Sequence, residues 1–114
     1  MMNNRELALS YLRCFCAGDI DALESLLAPD LDFAGPLHRF DSRDAYIASL
    51  RRVPPGRCEY QVISLTERAD EVAIFYEYEK PNGALTIGQL FGFRNNKIAN
   101  MLLVFDGSQF IERV

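Results

Sequence analysis

The chain has 114 residues, with 12 Lys and Arg against 16 Asp and Glu, a formal net charge of −4, and 49% hydrophobic residues. That balance is ordinary for a globular protein and speaks against a nucleic-acid partner, whose phosphates are bound by clustered Lys and Arg. One domain over residues 1–114 is expected, able to bury roughly 65% of its unfolded surface without a metal or disulfide staple.

Residues 1–6 hold no apolar leader, and no later apolar run reaches membrane-spanning length, so a cytoplasmic protein with no membrane partner is expected. Leu7, Ala8, Tyr11, Leu12 and Phe15 recur at helical spacing and predict a first helix over residues 5–16, capped by Asn4. Gly18 suits the left-handed position after that helix, and Asp19 suits the cap of a second. In the second helix Ile20, Leu23, Leu26 and Leu27 repeat until Pro29, which is expected to stop it. A strand over 31–34 and its return over 37–40 follow. Asp41 or Ser42 starts a third helix over 43–53, with Ala45, Tyr46, Ile47 and Leu50 turned to the core. Asp41 with Asp44 resembles a capping box, and Pro54-Pro55-Gly56 ends the helix.

Everything later reads as strand: 58–65, 71–79, 84–94 and 97–106, rich in β-branched and aromatic residues. The short connections at 67–70, 80–83 and 95–96 predict an antiparallel meander. Helices first and sheet second give an α+β domain with three N-terminal helices packed on one sheet face. Both faces of the strands are apolar: Val72, Ile74, Tyr76 and Tyr78 oppose Ala73 and Phe75, and Met101, Leu103 and Phe105 oppose Leu102 and Val104. No helix remains to cover the second face, so a homodimer through the outer sheet face is predicted. Arg43, Arg51, Arg52 and Arg57 read as a solvated helix face. Cys14, Cys16 and Cys58 match neither a disulfide framework nor zinc spacing; they read as buried small hydrophobes rather than reactive thiols, with Cys14 and Cys16 on different sides of the first helix.

The junction Ala17-Gly18-Asp19, the run Ala28-Pro29-Asp30-Leu31-Asp32-Phe33-Ala34-Gly35-Pro36 and the helix start Asp41-Ser42-Arg43-Asp44-Ala45 together resemble a nuclear transport factor 2-like domain. The subgroup is the one that includes ketosteroid isomerases and SnoaL-like polyketide cyclases. The resemblance spans residues 5–106 and is spread over many positions, so it speaks to fold more than to reaction. It implies a curved, mostly antiparallel sheet wrapped around three helices in its concave face, a cystatin-like cone enclosing an apolar pocket, usually in a dimer. Ketosteroid isomerases move a proton beside a carbonyl, using a carboxylate base with a tyrosine and a protonated aspartic acid at the oxyanion. In this resemblance the oxyanion tyrosine falls on Tyr11, the base on Gly35 and the second donor on Gln89. Gly35 has nothing to accept a proton, which leaves an isomerase of that type without its base and leaves catalysis open.

Tyr11 is read either as a donor to a ligand oxygen or as a core tyrosine bonded to the backbone. Gln89 lies between Ile87 and Phe91 on a buried face, where its amide must find a ligand or a structural partner. His38, the only histidine, is either the substitute for the missing base or a surface loop residue. Asp30, Asp32 and Asp106 read as solvated or turn residues. Phe33, Val72, Ile74, Tyr76, Leu85, Ile87, Phe91, Met101, Leu103 and Phe105 are expected to face the helices, as plain core or as the lining of a pocket. The candidate catalytic residues are therefore Tyr11 and His38. The candidate ligand contacts are Tyr11, Phe33, Ile74, Tyr76, Ile87, Gln89, Met101, Leu103 and Phe105, for a small apolar molecule of polyketide-like or steroid-like shape. The chain has no Gly-rich phosphate loop and no cluster of His, Cys and carboxylates, so no metal or other cofactor is expected. The competing reading is a non-catalytic ligand-binding or dimerisation module.

Overall fold

The computed structural model describes residues 2–80 and 83–110. Asn3 opens the first helix, α1 (Asn4–Ala17), through a reciprocal capping box. Its side chain accepts from the Glu6 N–H at 2.8 Å, and the Glu6 carboxylate accepts from the Asn3 N–H at 2.9 Å. The cap is thus Asn3 and not Asn4, because only from position 3 does Glu6 fall where it can reach back. Gly18 ends the helix with φ 74°, while its N–H and that of Asp19 reach back to Phe15 and Cys14 carbonyls at 3.1 and 3.0 Å.

Asp19 caps α2 (Ile20–Ser25), accepting from the Ala22 N–H at 3.1 Å. This helix stops at Leu26, ahead of Pro29, and Pro29 lies inside the first strand, β1 (Leu27–Ala34). Leu27 and Ala28 fit either period; pairing with β6 decided for strand, and the Ile98 N–H donates to the carbonyl of Leu26 just before it at 2.9 Å. The register of β1 breaks between Leu27 and Asp32, an irregularity that accommodates a proline with no N–H to give. β2 is the short return Arg39–Phe40, with Phe33 opposite Phe40.

Ser42 caps α3 (Arg43–Arg52) by accepting from the Ala45 N–H at 3.0 Å, so the cap is Ser42 and no Asp41–Asp44 box forms. Tyr46 and Ile47 are buried and Leu50 half-buried, but Ala45 is exposed. It sits at the start of the helix, off the stripe that faces the sheet. Arg51 bridges Asp21 and Glu24 of α2 at 2.9 and 3.1 Å, tying the two short helices together on their wet side. Replacing Ser42 by Ala is expected to cost about 1 kcal/mol, a drop in thermal midpoint of roughly 3–6 °C by calorimetry. A midpoint unchanged within 1 °C would mean that the cap bond contributes nothing.

Four long strands follow: β3 (Glu59–Arg68), β4 (Glu71–Lys80), β5 (Gly83–Arg94) and β6 (Lys97–Val104). Phe105 and Asp106, expected to extend β6, lie beyond it. The β3–β4 turn is Ala69-Asp70, and the β5–β6 turn is Asn95-Asn96 with φ 53° and 61°, the left-handed pair that asparagine tolerates in a tight hairpin. Of the predicted connection at 80–83, Pro81 and Asn82 lie outside the described residues; β4 and β5 pair down to Lys80 opposite Gly83. The sheet order is β2-β1-β6-β5-β4-β3: the expected four-stranded meander, β3 to β6, is extended beyond β6 by β1 and its return β2. The added link is β1, which runs parallel to β6, a pairing between distant segments that no turn announces. All other pairs are antiparallel. The helices pack on one face of this sheet, over Leu12, Leu23, Leu27, Leu31, Ile74, Phe91 and Ile98, all nearly inaccessible to solvent.

The opposite face stays apolar and open. Phe75, Leu102 and Val104 are 53%, 46% and 59% exposed. A Cβ on Gly88 would lie 3.0 Å from the Phe75 ring, so the absent side chain is what lets that ring lie across the strand. Among the described residues no helix is long and apolar enough to cross a membrane.

Candidate functional site

Four polar side chains meet inside the apolar layer between helices and sheet. Tyr11 comes from α1, Tyr46 from α3, Tyr76 from β4 and Gln89 from β5; they are 3%, 4%, 5% and 3% exposed. Strand parity puts Tyr76 and Gln89 on the inner face: Tyr76 is opposite Ile87, and Gln89 is opposite Ile74 on one side and Leu103 on the other. On α1, Tyr11 lies in the stripe with Leu7, Ala8 and Leu12, so the helix aims its phenol at the same spot.

The Tyr11 and Tyr46 hydroxyls form a short hydrogen bond in which either oxygen can be the donor. The Tyr76 hydroxyl donates to Gln89 Oε1 at 2.7 Å, and Gln89 Nε2 donates to the Met101 sulfur at 3.3 Å. A thioether is a weak acceptor. Each phenol has one proton. Tyr76 gives its proton to Gln89, and one member of the Tyr11–Tyr46 pair gives its proton to the other. The remaining proton of that pair is free for Gln89 or for a ligand oxygen.

Burial pushes the Tyr11 phenol up to about 12, against the opposing pull of hydrogen bonds from Tyr46 and Gln89. Burial likewise raises Tyr46 and Tyr76 well above the ordinary phenol range, with the neighbouring Tyr11 adding to both. These groups are neutral at physiological pH and act as hydrogen-bond donors and acceptors, not as proton acceptors. Among the described residues the buried polar residues besides these tyrosines are Ser10 and Gln89, and no charged residue is buried.

Aromatic rings close around the cluster. Tyr11 packs edge-on against Phe91 at 5.5 Å and stacks on Phe15 at 6.1 Å. Phe33 stacks on Tyr46 at 4.9 Å, and Phe40 contacts both at 5.8 and 5.4 Å. Ile74, Ile87 and Met101 are buried beside them, whereas Leu103 and Phe105 are half-buried at the rim. A Cβ at Gly35 would lie 3.4 Å from the Phe33 ring and 3.5 Å from Leu103 Cβ, so this residue borders the lining without offering a reactive group. His38 is exposed, its ring 6.0 Å from that of Phe40, which in turn packs on Tyr46. It is thus one ring removed from the phenols.

The two hollows that stand out among the described residues are both outside the cone. One, of about 460 Å³, opens on the outer sheet face between Phe75, Gly88, Leu102 and Val104. The other, of about 330 Å³, is a polar notch beside the Asn95-Asn96 turn. Asp30 is exposed and paired with Arg94, and Asp32 is exposed. Asp106 accepts from the Ser108 N–H and hydroxyl at 3.0 and 2.6 Å, bonds that hold its carboxyl below the usual range. Among the described residues no three of His, Cys, Asp and Glu are grouped to hold a metal ion.

Tyr46 is the member of the cluster that sequence reading placed in the core without a polar role. The available signal was its hydroxyl: a tyrosine on the buried stripe of a helix must find a hydrogen-bond partner, and Tyr11 is the nearest one buried.

Solved structures share this architecture. An NTF2-like protein of unknown function from Cytophaga hutchinsonii superposes with a TM-score of 0.84 at 17% identity, over 98% of this chain and 97% of that one. One from Burkholderia xenovorans gives 0.78 at 20%, over 97% and 94%. A protein of ketosteroid isomerase-like fold from Catenulispora acidiphila, in complex with trimethylamine, gives 0.73 at 16%, over 86% and 83%. At such identities these likenesses show the fold alone. No curated protein matches the sequence. The model of the SnoaL-like domain matches residues 8–101, from the first turns of α1 to the middle of β6. With its three helices laid in the concave face of the sheet and a tyrosine of α1 at the centre of the cone, the chain belongs to the SnoaL-like domain family.

Proposed function

We propose that the protein binds a small, neutral, mostly apolar molecule in the cone, of polyketide-like or steroid-like shape. Tyr11 and Gln89 hydrogen-bond its oxygen atoms, and Tyr46 and Tyr76 hold those two groups in place. The observation that carries this reading is the gathering of three phenols and one amide, all almost fully buried, in an otherwise apolar layer. Such groups cost about 1–3 kcal/mol each when left unpaired, and a thioether partner for Gln89 Nε2 is poor compensation. With no charged side chain buried among the described residues, a neutral ligand fits better than an ionised one. The rings of Phe33 and Phe40, with the Leu103 side chain, border the entrance such a molecule would use.

Binding without turnover is the reading for this site, since Gly35 offers no proton acceptor and His38 stands outside Phe40. Fluorescence titration with 1-naphthol, a ring-bearing neutral probe, is expected to show saturable binding weakened about tenfold in Tyr11→Phe, the equivalent of one lost hydrogen bond. Equal affinity in wild type, Tyr11→Phe and Gln89→Leu would remove the cone as the site. A pH-dependent conversion of a cyclic enone that vanishes in His38→Ala would instead establish an enzyme with a displaced base.

A second reading, a dimerisation module, is favoured by the open apolar groove around Phe75, Leu102 and Val104. A second copy laid face to face would cover it, whether or not the cone takes a ligand. Light scattering during size exclusion is expected to give twice the chain mass for wild type and the single chain mass for Phe75→Glu. A monomeric wild type at 100 µM ends the homodimer proposal.

A further inference from the structure

Two of the three cysteines, set far apart in the sequence, meet at the back of the domain. Cys16 is in the last turn of α1, and Cys58 immediately precedes β3. The Cys58 N–H donates to the Cys16 carbonyl at 3.0 Å. That bond keeps the two α-carbons within about 7 Å of each other, a span that covers the 4.4–6.8 Å range of disulfides. The Cys58 thiol is near enough to Cys16 and to Tyr78 to raise both of those groups. Cys58 is half-buried and Cys16 buried, so one sulfur is open to reagents and the other waits behind it. Cys14, also buried, precedes Cys16 by two residues and faces another side of the helix.

We propose that Cys16 and Cys58 form a reversible disulfide that staples the end of α1 to the entry of β3 when a small-molecule disulfide is abundant. The Cys58 thiolate attacks one sulfur of that disulfide; its S–S bond breaks, and one thiol leaves with the proton that Cys58 gave up. The Cys16 thiolate then attacks the Cys58 sulfur of the mixed disulfide, and the second small thiol leaves with the Cys16 proton. Two protein thiols are oxidised and one small disulfide is reduced to two thiols. Burial raises the Cys16 thiol, as do the neighbouring Cys58 and Glu59, so the second step is the slow one at neutral pH and quickens in alkali. The new bond closes α2, β1, β2 and α3 into one ring, so that oxidation restrains the unfolded chain and pins the 53–58 connection against α1.

The test is incubation of the folded protein with oxidised glutathione, followed by denaturation, alkylation and mass spectrometry, with dithiothreitol-treated protein alongside. Three alkylated cysteines are expected in the reduced sample and one, Cys14, in the oxidised sample, with a peptide linking Cys16 to Cys58. The thermal midpoint is expected to rise by roughly 10 °C on oxidation and to fall back with dithiothreitol. Cys14→Ala should keep that shift, and Cys58→Ala should lose it. Persistent glutathione on Cys58, a bond through Cys14, covalent dimers on a non-reducing gel, or three free thiols after oxidation would each overturn the proposal. All four are read on the wild-type chain, so the result does not depend on whether a variant folds.

Discussion

Between pH 10 and 12 the protein is expected to unfold in one cooperative step, with far-UV dichroism and the 295 nm phenolate absorbance changing together. The cause is the buried trio Tyr11, Tyr46 and Tyr76, whose phenols are held neutral chiefly by burial. A phenol raised above its unfolded value of 10.0 contributes stability fully below pH 10 and loses it as the pH climbs toward the folded value. For Tyr11 that window runs from 10.0 to about 12. Each unit within it removes about 1.4 kcal/mol per phenol, so Tyr11 alone accounts for about 3 kcal/mol and the trio for more. A domain with roughly 5–15 kcal/mol in total cannot absorb that. Burial also raises Tyr60 and Tyr78, with the Cys58 thiol adding to the second, so neither is expected to ionise well ahead of the transition. Titration of all five tyrosines near pH 10 with unchanged dichroism would show that the cluster is wet and the cone open to water.

Phe91→Ala is expected to cost about 3–5 kcal/mol, the largest loss of any single truncation. Phe91 is 0% exposed, lies on the inner face of β5 opposite Met101 and Val72, and contacts the rings of Tyr11 and Phe93. Its removal leaves a void floored by a phenol, which neighbouring strands cannot collapse to fill. Urea denaturation should show the midpoint falling with an unchanged slope, and Phe91→Leu should recover more than half of the loss. A void of this kind stays dry and takes up small apolar solutes, so benzene should partly restore the thermal midpoint of Phe91→Ala and leave wild type unaffected. A loss below 1 kcal/mol would mean that the centre of the cone is loosely packed.

The architecture was legible because local signals agreed with one another. Helical stripes, caps and hairpin turns each specify their own short segment, and together they describe three helices followed by a sheet. The errors fell where a distant partner overruled a local pattern. Leu27 continues the α2 period, yet β6 captures it as strand opposite Ile98, and Pro29 ends up within β1 rather than as a stop signal. Asn4 is a competent cap, but the cap is Asn3, and of the two candidates Asp41 and Ser42 it is Ser42, each cap chosen by the N–H three residues on. Of the buried polar cluster, Tyr11 and Gln89 were expected inside the cone through the family resemblance and the parity of β5. Tyr46 was visible only as an apolar helix position, since periodicity reports burial and is silent about where a hydroxyl points. The contact of Cys16 with Cys58 crosses the whole helical half of the chain and leaves no trace in cysteine spacing.

The parallel seam between β1 and β6 has a consequence for how the chain assembles. Leu27 sits beside Ile98, partners separated by roughly seventy residues, while the β3–β6 hairpins join near neighbours. During vectorial synthesis the hairpin half can zip only after the helical half has long left the ribosome, and β1 then waits with bare backbone donors for its mate. Refolding should accordingly be limited by this late long-range closure, and the waiting strand edge is the place where nascent molecules would stick to one another.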